Sequence, residues 1–324
     1  MINDNLEIRP TKLKDYVGQT NIINNLNIFI KASKNRNEVL DHVLLYGPQG
    51  LGKTTLANII ANEMNSEIKS ITAINIDKTK DLVNILISLN PGDTLFIDEI
   101  HRLSKSNMEL LYSAMEDYYI DIIYGQNQNA KTIRVDIHPF TLIGATTKVN
   151  MISKPLNDRF GIKLRLNFYD DKEIIKIIKR TAKVFETKID NEALVSISNR
   201  SRNTPRIANN LFKRVRDFAS VLNDNHITLK LCEDAFISLN INSQGLDEFD
   251  IKYLKVLMRN FNGGPCGINS LSTSLNCDVE TIQEIYEPFL LQKDLIKKTS
   301  RGRIITETGI TYYNQVINHK NMSR

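Results

Sequence analysis

Cysteine is scarce in this chain, and so is any long apolar run. The 324 residues hold three cysteines, Cys232, Cys266 and Cys277, scattered and odd in number with no C-x-x-C pair. That pattern argues against a disulfide framework and against a zinc site, and points to reduced thiols in a cytosolic protein. His42, His101, His138, His226 and His319 have no metal-ligand spacing and read as incidental. No apolar stretch approaches the roughly 18 residues a membrane span needs. The opening Met1-Ile2-Asn3-Asp4-Asn5 lacks the basic and apolar regions of a signal peptide. A cytoplasmic protein with no membrane partner is therefore expected. Neither sign of charge dominates: 42 basic against 37 acidic residues leaves +5. This excess permits a nucleic-acid partner without demanding one. With 41% hydrophobic and 24% charged residues, packed cores are expected, and the length allows two or three domains.

What is present is a phosphate-binding pattern. The apolar run Val43-Leu44-Leu45-Tyr46 leads into Gly47-Pro48-Gln49-Gly50-Leu51-Gly52-Lys53-Thr54-Thr55. Leu56, Ala57, Ile59, Ile60 and Met64 then follow at helical spacing. Strand, glycine loop and helix form the context that gives G-x-x-x-x-G-K-S/T its meaning. Gly47, Gly50 and Gly52 can take backbone angles that let successive N–H groups curl round phosphate oxygens. The helix N-terminus faces the same anion. Lys53 is placed to reach the β- and γ-phosphates and Thr54 to ligate Mg²⁺. The chain is expected to bind a nucleoside triphosphate.

A second apolar run, Thr94-Leu95-Phe96-Ile97, ends in Asp98 and Glu99. The C-terminal end of a buried parallel strand is where ligands sit in open α/β sheets. Asp98 suits Mg²⁺, and Glu99 suits polarising the attacking water. An amphipathic helix is expected over 106–117. The β-branched and aromatic runs 118–124 and 132–137, flanking a polar turn, predict a hairpin. By pattern, Ile122 to Tyr124 are either core or an exposed docking patch, and core is favoured. A third strand, Phe140 to Ala145, ends in Thr146-Thr147, where a hydroxyl can orient water or meet the γ-phosphate. Pro155 to Gly161 reads as a turn and short helix carrying Arg159.

From 171 to about 240 the periodicity is purely helical. Thr204-Pro205 supplies a capping hydroxyl and a proline at the first helical position. The polar stretch Asn240 to Gly245 reads as a linker. Three short helical patterns and a basic hairpin, turning at Ser300-Arg301-Gly302, then describe a winged helix. Between 293 and 303 five basic side chains face only Asp294. Such a loop suits contacts with DNA phosphates.

DYVGQ, LFIDEIHRL, MEDY, GATT, DRFG, TPRIAN, YEPFL and RGR occur in that order. In this the chain resembles the RuvB family of bacterial AAA+ ATPases, ring motors that drive Holliday-junction branch migration with a junction-binding RuvA partner. The likeness spans nearly the whole sequence. It implies an α/β P-loop AAA+ domain, a parallel sheet with helices on both faces, over 1–168. A small α-helical lid over 169–241 and a winged-helix DNA-binding domain over 242–324 follow. It implies a homo-hexamer acting on double-stranded DNA at junctions, with room for a RuvC-type resolvase. By the same likeness Ile8, Arg9, Tyr16 and Val17 surround the adenine. Gly47, Gly50, Leu51, Gly52, Lys53, Thr54 and Thr55 hold the triphosphate, which the likeness makes that of ATP. Glu116, Asp117, Tyr118, Tyr169, Pro205 and Arg206 complete the pocket.

The implied catalytic set is Lys53, Asp98, Glu99, Thr146, Arg159 and Arg206, with Thr54 and Asp98 on the metal. Thr146 and Thr147 resemble a first sensor and Arg206 a second. Arg159 resembles an arginine finger given across the subunit interface, a device worth about 10³–10⁵ in rate. The hairpin near Ile122–Tyr124 becomes the RuvA-docking element, reversing the core reading. Lys298, Arg301 and Arg303 become DNA contacts. Gln49, Lys148, Asn157, Val279, Lys298 and the turn Gln126 to Asn129 depart from the family pattern. Lys298 keeps a charge but loses the planar fork of arginine. Two other readings are a clamp-loader or initiator ATPase and an ATP-gated winged-helix regulator.

Overall fold

The protein is described by a computed structural model covering residues 8–76, 78–124 and 131–322. It divides into two compact units, residues 1–176 and 177–324, each with its own core.

The first unit is built on a five-stranded parallel sheet in the order β2-β3-β6-β1-β7. The inner strands are β1 (Val43–Tyr46), β3 (Thr94–Asp98) and β6 (Thr141–Thr146), whose near-continuous apolar runs are what burial on both faces requires. The outer strands, β2 (Ile68–Thr72) and β7 (Ile162–Arg165), mix lysine, serine and arginine among their apolar residues. Edge strands tolerate that pattern, which is why sequence reading passes over both. Helices Lys53–Met64, Thr79–Ile87 and Lys105–Glu116 follow β1, β2 and β3 in turn. One core cluster joins Leu44, Leu95, Ile97, Leu111, Phe140 and Phe160. His42, just before β1, is buried in this unit. Its Nδ1 accepts from the Leu142 amide at 2.8 Å, and its Nε2–H donates to the Met115 carbonyl at 2.9 Å.

The predicted hairpin is present as β4 (Tyr119–Tyr124) paired antiparallel with β5 (Lys131–Asp136). Ile120 is fully buried and Ile122 packs against the main core, whereas Ile133 is about half exposed, at 49%. Ile122 thus sits where the pattern-based reading put it, with the core. The Tyr124 side chain and the turn Gln126 to Asn129 lie outside the described residues.

The second unit carries helices Asn191–Arg200, Pro205–Leu222 and Leu229–Ser238, with a two-residue pairing of β8 (Lys188–Ile189) and β9 (His226–Ile227). Phe212, Val215, Ala235 and Phe236 are buried there. Helices Glu248–Phe261 and Ile268–Leu275, a helical run ending in Glu287–Gln292, and the antiparallel pair β10 (Ile296–Thr299) and β11 (Gly302–Ile305) form the winged helix. A further helix, Glu307–Met322, closes it; no sequence signal above predicts that helix. Tyr253, Leu257, Leu271, Leu290 and Ile296 share its core.

Candidate nucleotide and DNA sites

Because β1, β6 and β3 are parallel neighbours, their C-terminal ends lie along one edge of the sheet. Tyr46 stands in register with Thr146, and the Gly47 amide donates to the Thr146 carbonyl at 3.2 Å. The glycine loop, the acidic pair and the threonine pair therefore converge without any side-chain contact being needed to gather them.

Two glycines in the loop are obligatory for geometric reasons. Gly47 has φ +140° and Gly52 φ +99°, and a Cβ there would stand 2.5 Å from the Leu166 carbonyl oxygen and 2.8 Å from the Tyr16 hydroxyl. The Lys53 ammonium is tucked under the loop, donating to the carbonyls of Gly47 at 2.8 Å and Pro48 at 2.9 Å. At 7% exposure this is a buried cation curled inside a glycine cradle. The oxyanions of a triphosphate fit such a cradle of amides around a cation. Thr54, half-buried at the helix start, and Asp98, half-buried at the end of β3, offer hard oxygen donors that fit Mg²⁺.

On one side of the loop the Tyr169 hydroxyl donates to the Leu51 carbonyl at 3.1 Å and lies 3.0 Å from the Tyr16 hydroxyl. Ile8 is buried, Arg9 is exposed and Val17 is half-buried. Tyr16, Leu51 and Tyr169 are thus brought together, although they are spread over more than 150 positions.

Glu99 sits in the left-handed region at φ +50°, a strained conformation for a non-glycine residue. Its Oε2 lies 3.2 Å from His101 Nδ1 and 3.4 Å from both the amide and hydroxyl of Thr147. His101 Nδ1 is also 2.9 Å from the Thr146 hydroxyl, which accepts from the Lys148 amide at 2.9 Å. A carboxylate only accepts, so the proton sits on Nδ1. One expectation changes here. His101 is not incidental: it is 6% exposed and links the acidic strand end to the threonine strand end. Thr146 is fully buried, so the hydroxyl facing Glu99 is that of Thr147. The two adjacent threonines, one ending β6 and one just beyond it, therefore make different contacts.

Arg159, at the end of helix Lys154–Asp158, donates from Nη2 to Glu116 at 2.6 Å and from Nε to the Tyr112 carbonyl at 3.2 Å. Its guanidinium lies over the Tyr112 ring, 4.8 Å from the centroid. Asp117 ends the preceding helix, and Tyr118 packs edge-on against Phe140 at 6.2 Å, within the core. Thr55 is half-buried in the loop helix. Pro205 and Arg206 open a helix of the second unit, where Arg206 is exposed.

In the wing, Lys298 and Arg303 are directly opposed across the strands. Two like charges so placed repel. Glu287, completely buried, resolves this: Arg303 Nε donates to its Oε1 at 2.7 Å and Lys298 Nζ to its Oε2 at 2.6 Å. Burial pushes this carboxylate up, but Arg303 and Lys298 more than offset that and hold it below its ordinary value. The expectation that only Asp294 opposes the wing's charge is corrected, because the countercharge comes from a residue outside the window. Arg303 is largely enclosed, with 13% of its side chain exposed, while Arg301 is exposed at the turn.

Among the described residues, no group of three metal-ligating side chains occurs and no helix is long and apolar enough to cross a membrane. Burial pushes the Cys232 thiol up to about 11 and raises that of Cys266, as expected for inert thiols.

Comparison with known proteins gives a single picture. Residues 8–166 match the Holliday junction DNA helicase RuvB P-loop domain, 169–242 the RuvB AAA lid domain and 243–314 the RuvB C-terminal winged helix domain. A Staphylococcus haemolyticus protein named Holliday junction branch migration complex subunit RuvB is 51% identical over 308 residues, 95% of this chain and 93% of that one. A Phytoplasma mali protein of the same name is 52% identical over 299 residues, covering 92% and 90%. The solved Thermotoga maritima RuvB branch migration motor superposes with a TM-score of 0.87 at 46% identity, over 95% of this chain and 98% of that one. The chain belongs to the RuvB family of P-loop AAA+ ATPases.

Proposed function

We infer that this chain is an ATP-hydrolysing DNA motor that drives branch migration of Holliday junctions in recombination and repair. In this reading it works as a hexameric ring with a RuvA-type junction-binding protein. The observation that carries it is the convergence of glycine loop, Asp98, Glu99 and the threonine pair on one edge of the sheet, in a chain that also carries a winged helix.

ATP lies in the glycine cradle with its γ-phosphate beyond Lys53 and its adenine towards Ile8, Arg9, Tyr16, Val17 and Tyr169. Thr54 and Asp98 would hold a Mg²⁺ ion, which would supply charge neutralisation for the phosphates. Glu99 orients and polarises the attacking water, its carboxylate aimed by His101 and Thr147. Arg159, paired with Glu116, faces the nucleotide of a neighbouring subunit and stabilises charge in the transition state, and Asp117 and Tyr118 complete the pocket. Arg206 reports the γ-phosphate to the lid, and the winged helix grips the duplex through Arg301, with Arg303 and Lys298 behind it. The β4–β5 hairpin serves as the partner's dock.

The test is ATP-dependent migration of a synthetic four-way junction, with and without the junction-binding partner. A clamp-loader or initiator activity would instead show hydrolysis stimulated by a primer-template or origin. A nucleotide-gated regulator would bind a specific sequence with negligible turnover.

A further inference from the structure

The loop from Ser201 to Thr204 precedes the helix that opens with Pro205 and Arg206, and it is tied into the winged helix by charge. Arg202 has only 11% of its side chain exposed. Its Nη2 donates to Asp250 Oδ2 at 2.6 Å and to Asp247 Oδ2 at 3.0 Å, and its Nε donates to the Gly245 carbonyl at 3.2 Å. The guanidinium also lies over Phe289, 4.6 Å from the ring centroid, in the winged-helix core.

Asp247 and Asp250 are themselves locked together. They form the reciprocal capping box of helix Glu248–Phe261, with Asp250 Oδ2 accepting from the Asp247 amide at 2.9 Å and Asp247 Oδ1 from the Asp250 amide at 3.0 Å. Arg202 is thus built into the first turn of the first winged-helix helix. Back along its own chain, its carbonyl accepts from the Thr204 hydroxyl at 2.9 Å, and Thr204 is the N-cap of the helix bearing Arg206. Only three residues therefore separate the proposed γ-phosphate sensor, Arg206, from Arg202, which forms a buried ionic clamp with the DNA-binding domain. Neighbouring contacts reinforce it. Arg200 Nε donates to the Asn242 carbonyl at 3.0 Å, and Gln292 donates to Asn203 Oδ1 at 3.1 Å. Gly245 passes so close that a Cβ would stand 2.9 Å from the Arg200 carbonyl oxygen. The stretch 240–245 reads as a loose linker in sequence, but it is fastened on both sides.

We propose that Arg202 is a positioning residue that couples the lid to the winged helix, so that displacement of the Arg206 helix is delivered to DNA. This rests on the motor reading above. Arg202 touches neither ATP nor DNA in this scheme; it converts hydrolysis into movement. Arg suits the task because its planar fork satisfies two carboxylates and a carbonyl at once, which Lys cannot do.

The experiment measures two rates on the full chain with its junction-binding partner: ATP hydrolysis stimulated by a synthetic four-way junction, and migration of that junction. R202A is expected to hydrolyse ATP within about threefold of the parent while migrating the junction at least tenfold more slowly. R202K should recover part of the loss. D250N, isosteric and weakening the same clamp, should shift the ratio in the same direction. Equal migration per ATP in R202A and the parent would overturn the proposal. So would parallel loss of both rates in a folded variant, or loss of the thermal transition in both R202A and D250N, since Arg202 would then serve folding alone. A parent chain that hydrolyses ATP but moves no junction would instead remove the motor reading itself, before any variant is compared.

Discussion

Arg303 Nε lies 2.7 Å from Glu287 Oε1, so a side chain proposed to meet DNA is held from behind by a fully buried carboxylate. The same carboxylate takes Lys298 Nζ at 2.6 Å and the Tyr253 hydroxyl at 3.2 Å. Removing one partner of a buried ion pair costs about 3–5 kcal/mol, because the other charge stays desolvated. Arg301, by contrast, is exposed at the turn. R301A is therefore expected to reduce the slope of log affinity for duplex DNA against log salt by about 0.9, one phosphate contact, with unfolding unchanged. R303A should lower stability by several kcal/mol as well as weakening DNA binding, and E287Q should lower stability without reducing the salt slope. Salt titrations and urea unfolding on the three variants separate these outcomes. An R303A protein as stable as its parent would show that the pair contributes little.

His101 spans Glu99 and Thr146 with one nitrogen, 3.2 Å from the first and 2.9 Å from the second. Replacing it frees the carboxylate proposed to aim the water while leaving the glycine loop untouched. H101A should bind ATP with unchanged affinity and turn it over about 10–100-fold more slowly, the usual cost of a misplaced catalytic group. E99Q should likewise retain binding and lose turnover almost wholly. If H101A matched the parent in kcat, the imidazole would be a packing group only.

Arg159 is spoken for within its own chain, with Glu116 at 2.6 Å and the Tyr112 carbonyl at 3.2 Å. A finger that serves a neighbour has to leave Glu116 or swing with it. R159A and E99Q should each be nearly inactive alone. Mixed, they should recover part of the parent's junction-stimulated hydrolysis, because some seams then pair an intact Glu99 with an intact Arg159. No recovery over a range of mixing ratios would confine Arg159 to its own subunit.

The phosphate cradle was legible because local chemistry dictates it: a glycine at φ +140° and one at +99° leave little other choice of residue. The inner strands were legible because burial on both faces demands unbroken apolar runs. The edge strands were not, since Lys69 in β2 and Lys163 and Arg165 in β7 dilute the pattern where one side meets solvent. Long-range pairing was the other blind spot. Nothing in the order of residues announces that Glu287 will sit under Lys298 and Arg303, or that Arg202 will reach Asp250. Such partners are chosen by how helices pack. His101 had one available signal, its place two residues after the strand-end Glu99, but a lone histidine carries too little information to be separated from an ordinary core residue.

His42 gives a pH dependence whose sign can be worked out. Burial lowers its pKa below the ordinary 6.5, with the Met115 carbonyl and Asp41 pulling weakly the other way. The neutral ring also fits its contacts, since Nδ1 must stay bare to accept from the Leu142 amide. In the unfolded chain the ring takes a proton near its ordinary value; in the folded chain it resists. The unfolded state then binds more protons at mildly acid pH, so stability rises with pH. The His42 contribution should be complete above about pH 6.5 and fall away below it. Each unit by which burial holds the pKa down corresponds to about 1.4 kcal/mol. Thermal unfolding of the parent and of H42Q between pH 5 and pH 8 isolates the effect as a difference. H42Q should be less stable than the parent at pH 8, having lost the bridge from β6 to Met115. The gap should narrow towards pH 5, and a gap that stayed constant would mean that His42 does not titrate in this range.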